Sequence, residues 1–257
     1  MIDRVELKNR AKQVLSNGNY WMSLAACTLV GIVSMIVSGG FSFNMSEEEL
    51  LRFSPWIIIV FVGLIIINLG INIFLYAPIK TGLNGFFIKS ANGETNISNL
   101  LNCFKSENYI NVVKTIFIRD LRLVGWLLIY FASLTVAIVI AIVGNNEILA
   151  PLFIFLSYFG LIPYIMKYYL YYMTDYIIAE NPQMDWRECL DKSKEMMKGC
   201  RYELFKLELS FIGWYLLGAL CCGIGVMFVE PYYCATITQF YLGRKNTDNV
   251  IIKEFNE

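Results

Sequence analysis

Long uncharged runs alternate with short charged segments along this chain. Five runs contain no Asp, Glu, Lys or Arg and consist mostly of aliphatic and aromatic residues: 13–46, 53–79, 123–146, 148–166 and 209–229. A helix rises about 1.5 Å per residue, so about 20 apolar residues cross a hydrocarbon core about 30 Å thick. The pattern therefore predicts an all-α, polytopic membrane helical bundle.

The runs predict six transmembrane helices within a single integral membrane domain that covers residues 1–257. The fifth run belongs to a longer apolar stretch, Leu207–Leu242, which is too long for one span. A turn at Gly223-Ile224-Gly225 would divide this stretch into two short spans. A five-span alternative would leave the basic C-terminal tail on the opposite side of the membrane from the other basic segments. The predicted spans are 20–40, 56–78, 123–144, 149–173, 207–223 and 225–242.

The lysines and arginines are distributed very unevenly between the predicted spans. Of the 21 basic residues, Arg52 alone lies in a loop on one side, and all the others lie on the opposite side. We call that opposite side the basic side. Because basic residues are retained in the cytoplasm, both termini are predicted to be cytoplasmic and the segment 45–51 to face outward.

Each segment on the basic side contains a short amphipathic stretch. The first covers residues 3–15, and the second begins at Ser98 as a candidate N-cap. The third begins at Asp185, with Glu188 three residues later as in a capping box, and stops at Gly199. We expect short interfacial helices that lie in the headgroup plane, with solvated linkers as the alternative.

A weak internal repeat supports an arrangement in hairpins. Residues 120–128 and 208–216 each begin with an acid that is followed by Gly-Trp five and six residues later, at the entry to a predicted span. The repeat suggests three units, each made of an amphipathic helix and a transmembrane hairpin. Chance similarity between apolar sequences is the alternative.

Composition agrees with a membrane protein and argues against an enzyme. Hydrophobic residues make up 57% of the chain and charged residues 16%, against about 45–50% and about 25% in soluble domains. The net charge is zero, so the composition shows no excess of basic residues for binding nucleic acid. The chain contains no histidine, which excludes His-based triads and His metal ligands. We therefore expect no enzyme activity and no cofactor, and we expect the cysteines to be free thiols.

Three polar residues inside predicted spans form the candidate site. Glu230 precedes Pro231 and would lie in the outer third of the last span, where a broken helix beside a carboxylate can bind ions or substrates. The alternative places Glu230 in the outer interface, at a turn. Asn68 and Asn72 are four residues apart and share one face of the second span. They are candidates for ligand contact, with hydrogen bonding between helices as the alternative.

A basic cluster in the third segment of the basic side is the second candidate. Clusters of Lys and Arg next to a membrane helix attract anionic lipid headgroups. The alternative is that these residues only determine topology. The candidate contacts are Lys192, Lys194, Lys198 and Arg201.

Several segments resemble one family of small bacterial membrane proteins. The most specific are 192–199 and 204–214, and further similarity lies at Pro231-Tyr232, Phe240-Tyr241 and the N-terminal residues 7–12 and 18–21. The family is filed as domain of unknown function 975. The resemblance covers essentially the whole chain and implies a helical integral membrane protein without an assigned activity. The layout is also similar to the membrane anchor of some glycerophosphodiester phosphodiesterases, whose catalytic domain has no counterpart here.

Two classes of function follow from these observations. The first is an accessory or structural protein of the bacterial plasma membrane that organises lipids or unidentified partner proteins. The second is a small permease or ion-coupled transporter. A transporter would bring Glu230, Asn68 and Asn72 together in one water-accessible cavity, whereas a scaffold would disperse them or bond them to neighbouring helices.

Overall fold

The computed structural model describes residues 4–16, 19–39, 55–144, 155, 158–221 and 223–256, and these parts of the chain are helical without strands. A π-helical turn lies at Asn72–Tyr76, and 3₁₀ segments lie at Ile97–Phe104 and Tyr158–Gly160. The α-helices are α1 (Arg4–Ser16), α2 (Tyr20–Gly39), α3 (Pro55–Ile71), α4 (Ala77–Ala91), α5 (Ser106–Gly144), α6 (Leu161–Tyr171), α7 (Thr174–Glu180), α8 (Trp186–Met196), α9 (Arg201–Leu209), α10 (Ile212–Leu220) and α11 (Ile224–Asn256).

Three helical stretches in the described residues are long and apolar enough to cross a membrane. They are Tyr20–Val37 in α2, Val62–Ala91 in α3 and α4, and Glu107–Val139 in α5. They overlap the first three predicted spans, but the second and third stretches extend into residues 79–122, which were predicted to lie between spans. The described residues are therefore all-helical and include three candidate membrane spans. The predicted span 149–173 lies partly outside the described residues, and six spans stay a prediction.

The last apolar stretch is divided into three helices. A turn at Ser210 and Phe211, whose backbone dihedrals stay in the right-handed helical region, separates α9 from α10. The chain turns again between α10 and α11. Gly223 lies in that second turn with φ +80°, a left-handed conformation that glycine adopts without strain. The turn predicted at Gly223 is therefore present. The predicted spans 207–223 and 225–242 are not among the three membrane-length stretches.

A packed core lies on the basic side of the membrane helices. The amphipathic helices contribute to it directly: α1 buries Leu7, Ala11 and Leu15, and α8 buries one face. The far halves of the membrane helices are exposed, as at Met35 in α2, where 76% of the residue's surface is accessible. Such apolar exposure is expected where a protein contacts lipid.

The caps of the short helices follow the sequence prediction with one correction. The Asp185 side chain accepts a hydrogen bond from the Arg187 N–H at 3.1 Å and caps α8. Gly199 follows α8 with φ +78°. The prediction that Ser98 caps the second stretch was wrong. Asn96 is the cap and accepts from the Ser98 N–H at 3.0 Å, because the 3₁₀ segment already begins at Ile97.

Two core thiols should be chemically inert in the folded protein. Burial raises the pKa of Cys103 to about 11 and the pKa of Cys189 to about 12. Because the thiolate is the reactive form, both residues should resist N-ethylmaleimide at pH 8 and react after unfolding. The exposed Cys221 should react in mild detergent and serves as the control. Modification of Cys103 or Cys189 in the native protein, mapped by mass spectrometry, would contradict this packing.

Candidate functional site

A charged cavity lies where the membrane helices meet the packed core. Its volume is about 410 Å³, within the usual range of ligand sites, about 300–1,000 Å³. The charged residues that line it come from α4, α5, α7 and α11 and are Lys80, Arg119, Asp120, Asp175 and Glu230. Its other walls include Asn84 and the tyrosines Tyr76, Tyr164, Tyr168, Tyr171, Tyr172, Tyr176 and Tyr233.

A buried ion pair joins two walls of the charged cavity. The Arg119 guanidinium donates to the Asp175 carboxylate, and only 16% and 15% of their side-chain surfaces are exposed. Arg119 also pairs with Asp120 at 2.8 Å. Charges buried to this degree are stable only when they are paired and hydrogen-bonded. The pair therefore fixes α5 against α7 and is satisfied without a ligand.

Two charges of opposite sign remain open to a ligand. The Asp120 side chain is 46% exposed. Lys80 is also exposed, and no described residue forms a hydrogen bond or ion pair with its ammonium group. The cavity thus presents a free cation beside a half-exposed carboxylate, an arrangement that suits a polar group with a phosphate or both signs of charge.

An apolar groove adjoins these charges. It lies between α5 and residues 69–81, which cover the end of α3, the π-helical turn and the start of α4. Its volume is about 460 Å³. Its charged lining residues, which also line the charged cavity, are Lys80, Arg119, Asp120 and Asp175. The remaining wall is largely apolar and includes Leu69, Ile73, Phe117, Leu121 and Val124. The groove therefore combines charged and apolar lining, which suits an amphiphilic molecule.

Tyrosine hydroxyls satisfy the glutamates around the charged cavity. The Glu208 carboxylate accepts from Tyr169 at 2.6 Å and from Tyr233 at 2.8 Å. The Glu230 carboxylate accepts from Tyr215 at 2.7 Å. These bonds satisfy half-buried carboxylates and link α6, α9, α10 and α11. The two glutamates therefore have partners within the protein.

The structure separates the three polar residues predicted to form a site. Glu230 lines the charged cavity beside residues of the basic segments, whereas the sequence placed it in the outer third of the bilayer. Asn68 donates to the Val37 carbonyl oxygen at 2.7 Å, and Asn72 donates to Asn68 at 2.9 Å. Asn72 lines the apolar groove, but neither asparagine lines the charged cavity.

The predicted basic cluster lies outside the charged cavity, on α8, the turn after it and the start of α9. Lys194 donates to Asp191 at 2.6 Å. Lys198 is exposed after the end of α8, whereas Lys192 and Arg201 are half-buried. Their role in binding anionic lipids stays a prediction.

Sequence reasoning missed Lys80, Arg119, Asp120 and Asp175 as members of one site. Lys80 and Arg119 were counted only among the basic residues, Asp120 served only as the acid of the internal repeat, and Asp175 had no role in the sequence prediction. A signal was available, because Asp120 lies three positions before the uncharged run 123–146 and Asp175 lies nine positions after the end of the run 148–166. Within the described ranges, no three Cys, Asp or Glu side chains are grouped closely enough to hold a metal ion.

Comparison with known proteins gives a family without an activity. No curated protein matches this chain, and no solved structure matches it. A family model described as protein of unknown function (DUF975) matches residues 1–247. This match confirms the resemblance found in the sequence. The chain therefore belongs to the DUF975 family.

Proposed function

We propose that this protein is a multi-pass accessory protein of the bacterial plasma membrane that binds a phospholipid in the charged cavity. Both termini lie in the cytoplasm, and the protein catalyses no reaction and uses no cofactor. The observation that carries the proposal is the apolar groove beside α5, which shares four charged lining residues with the charged cavity. Acyl chains would lie against the wall, and the headgroup would reach Lys80 and Asp120.

The chemistry of the open charges selects the headgroup. A phosphate would accept hydrogen bonds from the Lys80 ammonium, which forms no hydrogen bond or ion pair with a described residue. A cationic amine on the same headgroup would approach Asp120, which is 46% exposed and also pairs with Arg119. Hydrogen bonds to charged groups contribute about 1.5–3 kcal/mol each.

The permease alternative has less support. It requires Glu230, Asn68 and Asn72 to meet in one cavity, but the two asparagine amides donate within and between helices. Glu230 itself accepts a hydrogen bond from Tyr215. Dispersed and satisfied polar groups are what the accessory function requires.

Replacing Lys80 by Met should release the bound lipid. The substitution keeps the apolar stem but removes the ammonium group, so affinity for the phospholipid should fall about tenfold or more. Lys105→Met is the matched control, because Lys105 is exposed and lies outside the cavity. Both variants and the wild type would be purified in mild detergent, and co-purified phospholipid would be measured by mass spectrometry. Equal retention by all three proteins would contradict the proposal, and bound solute without lipid would favour the permease.

A further inference from the structure

The geometry points to α10 and the start of α11 as a re-entrant hairpin that enters the bilayer from the basic side and turns back near its midplane. The apolar surface of this hairpin contacts the acyl chains of one leaflet. The hairpin therefore replaces the two crossing spans that the sequence predicted between residues 207 and 242. This inference does not depend on the proposed lipid site.

Basic residues of α1 mark the level at which the hairpin begins. The Lys8 Nζ atom lies 4.7 Å from the centre of the Phe211 ring, and the Lys12 Nζ atom lies 5.9 Å from the centre of the Tyr232 ring. Phe211 and Tyr232 also pack against each other. A helix that carries several lysines and arginines lies in the headgroups or in water, because charges are costly in hydrocarbon. The two rings therefore lie near the membrane surface on the basic side.

The hairpin is too short to reach the opposite surface from this level. Helix α10 has nine residues, which rise about 14 Å even if the helix stands perpendicular to the membrane. Glu230 marks the level of the basic side on the returning helix, because it lines the charged cavity with Lys80 and Asp175. From Glu230 back to Gly223 the helix rises about 11 Å. A hydrocarbon core is about 30 Å thick, so the turn lies near its middle.

The surface of the hairpin is apolar and open. Leu220 at the turn is 81% exposed, and Trp214 and Leu216 on α10 are 53% and 62% exposed. On the returning helix Ile224 is 63% exposed. No charged residue lies between 209 and 229. Lipid chains are the environment that such a surface requires, because this much contiguous apolar exposure is disfavoured in water.

Close backbone contact holds the two arms together. A Cβ atom on Gly218 would lie 2.7 Å from the Val226 nitrogen, and one on Gly225 would lie 2.7 Å from the Gly218 Cα. Small residues allow helices in lipid to approach this closely. The charge distribution agrees as well, since a re-entrant hairpin returns α11 and Arg244 to the basic side, as two crossing spans would.

Thiol labelling in native membranes distinguishes the two arrangements. The exposed Cys221 at the turn should not react with a membrane-impermeant maleimide in intact cells or in inverted membrane vesicles. It should react once the membranes are dissolved in mild detergent, with the site of modification assigned by mass spectrometry. Ser46→Cys, in the loop predicted to face outward, is the control for intact cells. Lys105→Cys, on the basic side, is the control for inverted vesicles. Labelling of Cys221 from either side of an intact membrane overturns the inference.

Fluorescence quenching gives the depth of the turn directly. The protein, with a fluorophore attached to Cys221, would be reconstituted into vesicles. Their phosphatidylcholine would carry bromine at a chosen position of the acyl chain. We expect the strongest quenching when bromine is near the ends of the acyl chains. Strongest quenching by bromine next to the headgroup would instead place the turn at a membrane surface and overturn the inference.

Discussion

Replacing Arg119 by Met should destabilise the protein more than any other single change considered for it. The substitution leaves Asp175 with 15% of its side chain exposed and removes the guanidinium that binds it. Removal of one partner from a buried ion pair costs about 3–5 kcal/mol, because the remaining charge stays desolvated and unpaired. The free energy of unfolding, measured by denaturant titration in mixed micelles, should fall by this amount.

The matched control for this variant is an exposed ion pair. Lys194 and Asp191 form an ion pair at 2.6 Å on α8, with 37% and 70% of their side chains exposed. Exposed pairs contribute little to stability, so Lys194→Met should leave the unfolding transition nearly unchanged. If Arg119→Met and Lys194→Met had equal effects, Arg119 would not be a buried structural partner of Asp175.

Replacing Gly82 by Ala should give the second large loss of stability. A Cβ atom at this position would overlap the carbonyl oxygen of Leu100 and lie 3.0 Å from its carbonyl carbon. The obstacle is backbone, so the 3₁₀ segment Ile97–Phe104 would have to move away from α4. Overpacking of a core usually costs about 1–3 kcal/mol, and a backbone clash places this variant at the upper end. Thermal unfolding in detergent would measure the loss.

Gly85 on the same helix provides the control for Gly82. A Cβ atom there would meet the Ala179 side chain at 3.6 Å, an ordinary contact distance. Alanine is the better helix former by about 0.5–1 kcal/mol, so Gly85→Ala should be neutral or slightly stabilising. Equal unfolding temperatures for Gly82→Ala and Gly85→Ala would show that α4 and the 3₁₀ segment are not packed this closely.

The sequence predicted those features that depend on local pattern. The first three spans follow from uncharged runs, and three membrane-length helical stretches overlap them. The Asp185 cap and the left-handed Gly199 follow from residues next to each other in the chain. Membership of the family followed from short segments spread over its length. Such features need no knowledge of how distant helices pack.

The charged cavity could not be predicted, because it depends on contacts between distant segments. Arg119 and Asp175 are far apart in sequence, and nothing in the pattern of uncharged runs links them. Glu230 was placed near the outer surface because the last run was divided into two crossing helices. Its position beside Lys80 depends on how α11 packs against α4. Hydrophobic periodicity carries no information about that packing.

The proposed function and the proposed re-entrant hairpin rest on different observations, so an experiment that contradicts one does not contradict the other. The lipid site depends on Lys80, Asp120 and the apolar groove beside α5. The hairpin depends on the level of Phe211 and Tyr232 relative to α1. Labelling of Cys221 from outside would therefore restore six spans without affecting the lipid site. Loss of lipid binding would leave the hairpin unchanged.

Native mass spectrometry of the purified full-length chain tests the central claim most directly. The protein would be extracted in mild detergent, and the mass of the intact complex would be recorded before and after collisional activation. We expect a species that carries one phospholipid and releases it on activation. The same species should be depleted in Lys80→Met and retained in Lys105→Met. A wild-type chain that carries no phospholipid under these conditions would contradict the proposal that the charged cavity binds one.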